Sequence, residues 1–197
     1  MMNLIFSSIF IFVCGVLNAQ NREVVYFQNN IFKGEYSETL EQPLWVEYDV
    51  LCYEKKYDRT GLDFFPVDSI HTSDDKDYEY NEWDKGHLAP AASFNCDSLN
   101  LVSTFSYLNC ALQHEKLNRK TWRYLEDYER KLSKQYSVHV RVNVIFDCFS
   151  FELGTGAWVP RGFEKILTYN GIEEVYFFEN EPPKYNDFKK YKVNPTQ

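Results

Sequence analysis

One mixed α+β domain is predicted by three segments of the 197-residue chain. Trp45-Val46-Glu47-Tyr48-Asp49-Val50-Leu51-Cys52-Tyr53 and Val138-His139-Val140-Arg141-Val142-Asn143-Val144-Ile145-Phe146 alternate apolar and polar residues for much of their length, the period of a half-buried strand. Between them, Leu117, Trp122, Leu125, Tyr128 and Leu132 recur at spacings of three to five among Lys, Arg and Glu, which predicts one amphipathic helix over 116–136. The two strands are expected to pair.

The remaining segments read as connections and a hairpin. Residues 54–82 are charged and turn-rich, and Ser73 to Asp84 holds six carboxylates and one lysine, the composition of a solvated acidic loop. From Asp84 to Asn109, short apolar patches separated by Pro90, Asn95 and Asn100 suggest turns and one or two brief strands. A hairpin-like region runs from Trp158 to Phe178, and the tail after Pro182-Pro183 is expected to be loosely held.

Composition bounds the function. Phe, Trp and Tyr number 35 against 15 Gly plus Pro, enough apolar mass for a core and incompatible with a disordered chain. The formal charge of −8 is opposite to that of a protein binding nucleic acid with its whole surface, so a polyanionic substrate would need a local basic face or a metal ion. The helix supplies such a face: His114 to Lys134 holds seven Lys or Arg against four Asp or Glu. Lys116, Arg119, Lys120 and Arg123 are its candidate phosphate contacts, the bland reading being a solubilising face with ion pairs.

Residues 1–19 carry no charged side chain, and the apolar stretch Leu4 to Leu17 is too short to span a bilayer comfortably. This predicts a secretory signal peptide cleaved after Ala19, leaving a single domain of residues 20–197 outside the cytoplasm, extracellular or periplasmic, with no stable membrane association. Val13 before Cys14 does not suit lipidation. In an export context the four remaining cysteines, Cys52, Cys96, Cys110 and Cys148, allow two disulfides in three possible pairings. Neighbouring strands favour Cys52 with Cys148, and Cys96 with Cys110 would flank the segment leading into the helix.

Two clusters carry chemistry. In Asp84-Lys85-Gly86-His87-Leu88-Ala89-Pro90 the glycine permits an unusual backbone turn and the histidine can accept a proton near neutral pH. In Asn109-x3-Gln113-x4-Asn118-x3-Trp122-x3-Glu126, a step of 100° per residue puts Asn118, Trp122 and Glu126 within roughly 80° of helix surface. Alone, the asparagine reads as a helix cap and the glutamate as solvated.

Together the clusters resemble the DNA/RNA non-specific endonuclease family. Its Asp-Arg-Gly-His block is similar to residues 84–87, and its Asn-x3-Gln-x4-Asn-x3-Trp-x3-Glu helix matches Asn109, Gln113, Asn118, Trp122 and Glu126 in identity and spacing. Arg59-x4-Phe64-x3-Asp68 is similar to the loop holding the family's catalytic arginine, and Val159 to Lys165 resembles its Pro-x2-Phe-x-Lys segment. The resemblance implies a ββα-metal (His-Me finger) nuclease fold, with a central antiparallel sheet and one long metal-site helix. It further implies that His87 is the general base, Asn118 the metal ligand, Glu126 a carboxylate holding metal-bound water, and Arg59 a phosphate clamp, with Lys85 near substrate. Mg²⁺ is the implied cofactor, with Mn²⁺ able to substitute, and DNA and RNA the substrates; an amide ligand with several waters suits Mg²⁺. His71, His114 and His139 have no motif support and read as surface or packing residues, with His114, beside Gln113, the one near the implied substrate path.

Three departures are visible. Lys85 stands where the family has arginine, losing a planar fork; Leu112 stands where proline is common; and the C-terminal part is short. A nuclease-fold protein that binds nucleic acid without cutting it is the main rival. A zinc phosphoesterase is disfavoured by the lack of a thiolate pair.

Overall fold

The computed structural model describes residues 24–52 and 54–193; the expected leader and Cys14 lie outside them. In chain order the strands and main helices are β1 Val24–Gln28, β2 Phe32–Ser37, β3 Gln42–Asp49, β4 Trp83–His87, α1 Ser98–Ser103, β5 Cys110–His114, α2 Arg123–Leu132, β6 Val138–Ile145, β7 Phe151–Glu152, β8 Trp158–Val159, β9 Gly162–Tyr169, β10 Ile172–Glu179 and β11 Lys192–Val193. Seven of these strands form one antiparallel sheet in the order β1-β2-β3-β6-β9-β10-β11, and β4-β5 and β7-β8 form separate ribbons.

The expected β3–β6 pairing is present, with Trp45 opposite Asn143 and Asp49 opposite His139. Along β6, Val138, Val140, Val142 and Val144 are buried while the residues between them are half-exposed. Burying each valine stabilises by about 1.5–3 kcal/mol relative to exposure, so a charge at Val140 would break the layer. The helix covers this face: Trp122 packs on Phe163 and Phe178 at ring distances of 5.5 and 5.7 Å. The opposite face is polar, with Arg141 against Glu47 and over the Trp45 ring.

One segment is added to the sequence reading and three expectations are corrected. Residues 24–37, unassigned above, form a hairpin whose Phe27, Phe32 and Tyr36 are buried, its turn held by Asn29 Oδ1 accepting from Ile31 N and Phe32 N at 2.9 Å. The acidic loop is only partly solvated, because Asp77 is buried and caps a short 3-10 turn with Asp74. The tail is docked, with Tyr191 stacked on Phe178 at 4.8 Å and Lys192 paired with Glu174 at 2.6 Å. The third correction concerns the disulfides. The bond formed is Cys52–Cys96, with Cα atoms 5.6 Å apart, while Cys110 is a buried thiol and Cys148 an exposed one. The reason is strand direction: β3 and β6 are antiparallel, so Cys52, past the end of β3, and Cys148, past the end of β6, lie beyond opposite ends of the strand pair.

Candidate active site

The site is a β-ribbon followed by a helix. In the ribbon, Trp83 faces His114 and His87 faces Cys110, so His87 stands at one end and His114 at the other. His114 is buried against Trp83 and Glu82, away from the cleft. Gly86 is not in a turn as expected but within β4; a Cβ there would come within 2.6 Å of the Gln113 side chain, so the glycine is required by close approach of the two strands. Leu112, in the common proline position, donates its N–H to Gln42 Oε1 at 2.9 Å, a bond proline could not make. That bond ties the ribbon to β3.

Asn109, from the helix motif, is structural. Its side chain accepts from Ala89 N at 2.7 Å and donates to Ala89 O at 2.8 Å and Thr104 O at 2.9 Å, fixing the backbone two residues after His87. The imidazole of His87 is enclosed by Phe64 and Phe105, with ring centroids at 4.6 and 4.8 Å. Burial, with the nearby Arg59 charge, pushes its pKa down to about 3. The ring is therefore neutral at pH 7 and able to accept a proton, and its Nε2 is buried with no hydrogen-bond partner.

The helix begins with widened, π-type turns over Leu117–Trp122 before α2, so the 100° step does not hold through the motif. Asn118 and Glu126 line the cleft, but Trp122 turns inward and is fully buried, against the shared face expected from spacing. Asn118 Nδ2 donates to Asp84 Oδ2 at 2.9 Å, which orients the amide and leaves its oxygen available. Asp84 also takes two bonds from Arg119, at 2.9 and 2.6 Å. Glu126 is half-buried; burial, opposed by Lys165 and reinforced by Glu129, pushes its carboxyl up to about 7.

The cleft, of about 640 Å³, gathers His87, Arg59, Lys85, Asn118, Arg119, Arg123 and Glu126. Lys116 and Lys120 do not line it. Two of the expected phosphate contacts are already engaged: Lys85 sits between Asp63, at 2.9 Å, and Asp75, and Arg119 is held by Asp84 and by Glu115 at 2.9 Å. Arg59 and Arg123 have no ion-pair partner among the described residues. Asp68 is exposed on the loop beyond Phe64.

Sequence reasoning missed four contributors. Asp84 has a role beyond its place in the 84–87 block, and Phe105 has no sequence pattern to mark it. Arg130 lines the cleft four residues after Glu126, pairs with Asp127 at 2.5 Å and keeps Nη1 buried without a partner; its i+4 spacing was a usable signal. Asp75 binds Lys85 and accepts from Tyr107 at 2.5 Å, a contact across 32 residues that no local pattern reveals.

As a cation site, the donor set is hard and sparse: one amide oxygen and the Glu126 carboxylate on one cleft wall. No cluster of three or more His, Cys, Asp or Glu able to hold a metal occurs among the described residues. Such a set fits a hydrated, oxygen-preferring ion better than a dehydrated zinc.

Residues 15–193 match the family model described as DNA/RNA non-specific endonuclease. Human mitochondrial endonuclease G is 36% identical over 93 residues, 45% of this chain and 31% of that protein, and a nuclease of Serratia marcescens is 28% identical over 125 residues, 56% of this chain and 45% of that protein. The matched stretch thus spans less than half the length of these relatives. A chain in the crystal structure of the EndoG/EndoGI complex superimposes with a TM-score of 0.73 over 86% of this chain and 80% of that one, at 23% identity, which shows the shared fold. On a family match covering nearly the whole chain, and on a ribbon-and-helix architecture shared with a solved relative, the chain belongs to the DNA/RNA non-specific endonuclease family.

Proposed function

We propose that this chain is an exported endonuclease that hydrolyses phosphodiester bonds of DNA and RNA, with Mg²⁺ as its cofactor and Mn²⁺ able to substitute. The carrying observation is that the neutral His87 imidazole shares one cleft with Arg59, Asn118 and Glu126. In this reading the His87 imidazole takes the proton of an attacking water as the new P–O bond forms and the bond to the leaving oxygen breaks. Arg59, unpaired at the cleft mouth, stabilises charge on the pentacovalent phosphorane. Asn118, oriented by Asp84, would hold the cation and Glu126 its bound water; when bound, the cation supplies charge neutralisation at the leaving oxygen.

Substrate approach is assigned to Arg123 in the cleft, with Lys116 and Lys120 on the outer helix surface. Lys85 and Arg119, each paired with two carboxylates, act on substrate chiefly by holding Asp63, Asp75 and Asp84 in place. Export is supported by the leader composition and by the Cys52–Cys96 bond, which suits an oxidising compartment and, by the chain-entropy rule, contributes about 4 kcal/mol over its 44-residue separation.

The test is digestion of plasmid and of RNA by the protein lacking residues 1–19, with EDTA and with Mg²⁺ restored. Cleavage of both substrates that stops in EDTA and returns with Mg²⁺ is expected. Tight nucleic-acid binding with no cleavage under any cation would favour the binding-only rival.

A further inference from the structure

The turns that carry Asn118 are wound wider than an α-helix, over Leu117–Trp122, and begin at Lys116 without a side-chain cap. Such π-type turns are rare and occur mostly as single turns, so their pitch here depends on contacts from outside the helix. Two of those contacts come from one strap, residues 180–191, and they fall on either side of Asn118. Four residues before it, His114 N donates to Asn180 Oδ1 at 2.8 Å, while Asn180 Nδ2 donates to Leu112 O at 2.9 Å and Pro160 O at 3.1 Å. Three residues after it, Thr121 Oγ1 donates to Tyr185 O at 3.1 Å, across 64 residues of chain.

The strap is itself fixed at Tyr185. The Tyr191 hydroxyl accepts from Tyr185 N at 2.8 Å and donates to Tyr185 O at 3.2 Å, so one phenol closes on both polar groups of that residue's backbone. The Tyr191 ring is stacked on Phe178 at 4.8 Å, and Phe178 in turn packs on Trp122 at 5.7 Å. Between Asn180 and Tyr185, Pro182 and Pro183 stiffen the chain. Packing alone does not set the distance from strap to helix, because a cavity of about 290 Å³ is lined by Leu117 from the helix and by Pro183, Tyr185 and Tyr191 from the strap. The hydrogen bonds set it.

We propose that the strap is a positioning element for the cation site, with Thr121 and Tyr191 as positioning residues: through Tyr185 O they hold the turn on which Asn118 sits, and so the place of its amide in the cleft. Neither Thr121 nor Tyr191 lines the cleft, so each acts through Asn118. Asp84 fixes the amide by its nitrogen, at 2.9 Å, and the strap fixes the backbone that carries it. The inference rests on the reading of Asn118 as the cation ligand, and adds that the aim of this ligand is set by a segment 64 residues away.

The test measures Mn²⁺ affinity in the absence of nucleic acid, from the electron paramagnetic resonance signal of the free ion, in Thr121→Val and Tyr191→Phe. Each substitution removes one hydroxyl and keeps the side chain's packing. Each is expected to weaken Mn²⁺ binding about three- to tenfold, the net effect of one hydrogen bond. In an Asn118→Ala background, itself weaker, the same substitutions are expected to change nothing further, whereas a general loosening of the fold would lower affinity in both backgrounds. On plasmid, both variants should recover the wild-type kcat at saturating Mg²⁺ with KM for DNA unchanged. Wild-type Mn²⁺ affinity in both variants, or an equal loss in both backgrounds, overturns the strap's role while leaving Asn118 as ligand. Wild-type affinity in Asn118→Ala itself removes the ligand reading, and the strap's role with it.

Discussion

On one helix, Glu126 faces the cleft and Glu129, three residues later, faces the sheet. Glu129 is fully buried and doubly engaged: Lys165 Nζ lies 2.7 Å from one oxygen and Tyr48 donates its hydroxyl to the other at 2.8 Å. Lys165 in turn sits over the Trp122 ring at 4.2 Å. The cleft face is built the other way. His87 Nε2 and Arg130 Nη1 are buried without partners, and Glu126 has a carboxyl that burial holds partly protonated near neutral pH. The inner face seats the helix with an ion pair, although Glu129 Oε1, Lys165 Nζ and Trp122 Nε1 there have no well-directed hydrogen bond; the outer face presents Glu126, Asn118 and Arg123 to the cleft. The difference separates residues that stabilise from residues that act.

The largest effect expected from breaking this comparison is at the cleft. His87→Ala should lower the rate of plasmid cleavage by about 10²- to 10⁴-fold, the usual range for a general base, with the thermal midpoint little changed. A folded variant cutting at the wild-type rate would remove His87 from the mechanism.

At the inner face the balance reverses. Lys165→Met should destabilise by about 3–5 kcal/mol in urea unfolding, because Glu129 is left charged and buried. Adding Glu129→Gln should recover part of that loss, as expected for two coupled partners. Strictly additive single-variant losses would mean the pair does not seat the helix.

A smaller effect distinguishes two residues within the cleft. At low Mg²⁺, Asn118→Ala should be impaired on the order of 10- to 100-fold and should regain activity as Mg²⁺ rises, whereas Arg59→Ala should gain nothing from added cation. Identical unrescuable titrations would argue against Asn118 as a ligand.

The smallest effect is on the pH dependence of stability. His87 has its pKa lowered from 6.5 to about 3, so the unfolded chain takes up the proton first, and stability present above about pH 6.5 is lost as pH falls toward 3. Glu126 has its pKa raised from 4.5 to about 7, so its contribution is full below pH 4.5 and is lost as pH rises through 7. In urea midpoints, His87→Gln should flatten the acid limb, and Glu126→Gln should be more stable than wild type at pH 8 but not at pH 4.5. Parallel curves for all three proteins would show that neither group is held in the state described.

Much of the core was legible because it repeats locally. The valine alternation of β6 and the apolar spacing of the helix are set by residues within one turn or one pleat, and both elements form where the pattern places them. The β1–β2 hairpin was harder to see, since Gly34 and Lys33 interrupt its apolar residues. Gly34 is there because a Cβ would meet Trp45 O at 2.2 Å, a constraint imposed by the neighbouring strand.

The sequence by itself determined the chemistry available: a histidine after a glycine, an asparagine and a glutamate eight residues apart, and an arginine loop upstream, all of which reach one cleft. Only the tertiary structure decided what each group is doing there. It paired Cys52 with Cys96 because antiparallel strands send Cys148 to the far end of the strand pair, and it turned Trp122 into the core because the helix widens before it. It also committed Lys85 to Asp63 and Asp75, and Arg119 to Asp84, across 10 to 35 residues, while leaving Arg59 and Arg123 without an ion-pair partner among the described residues. The physical reason is range. Periodicity and motif spacing are properties of neighbouring residues, whereas partner choice for a charge or a thiol depends on which distant backbone segment packing brings within a few ångströms.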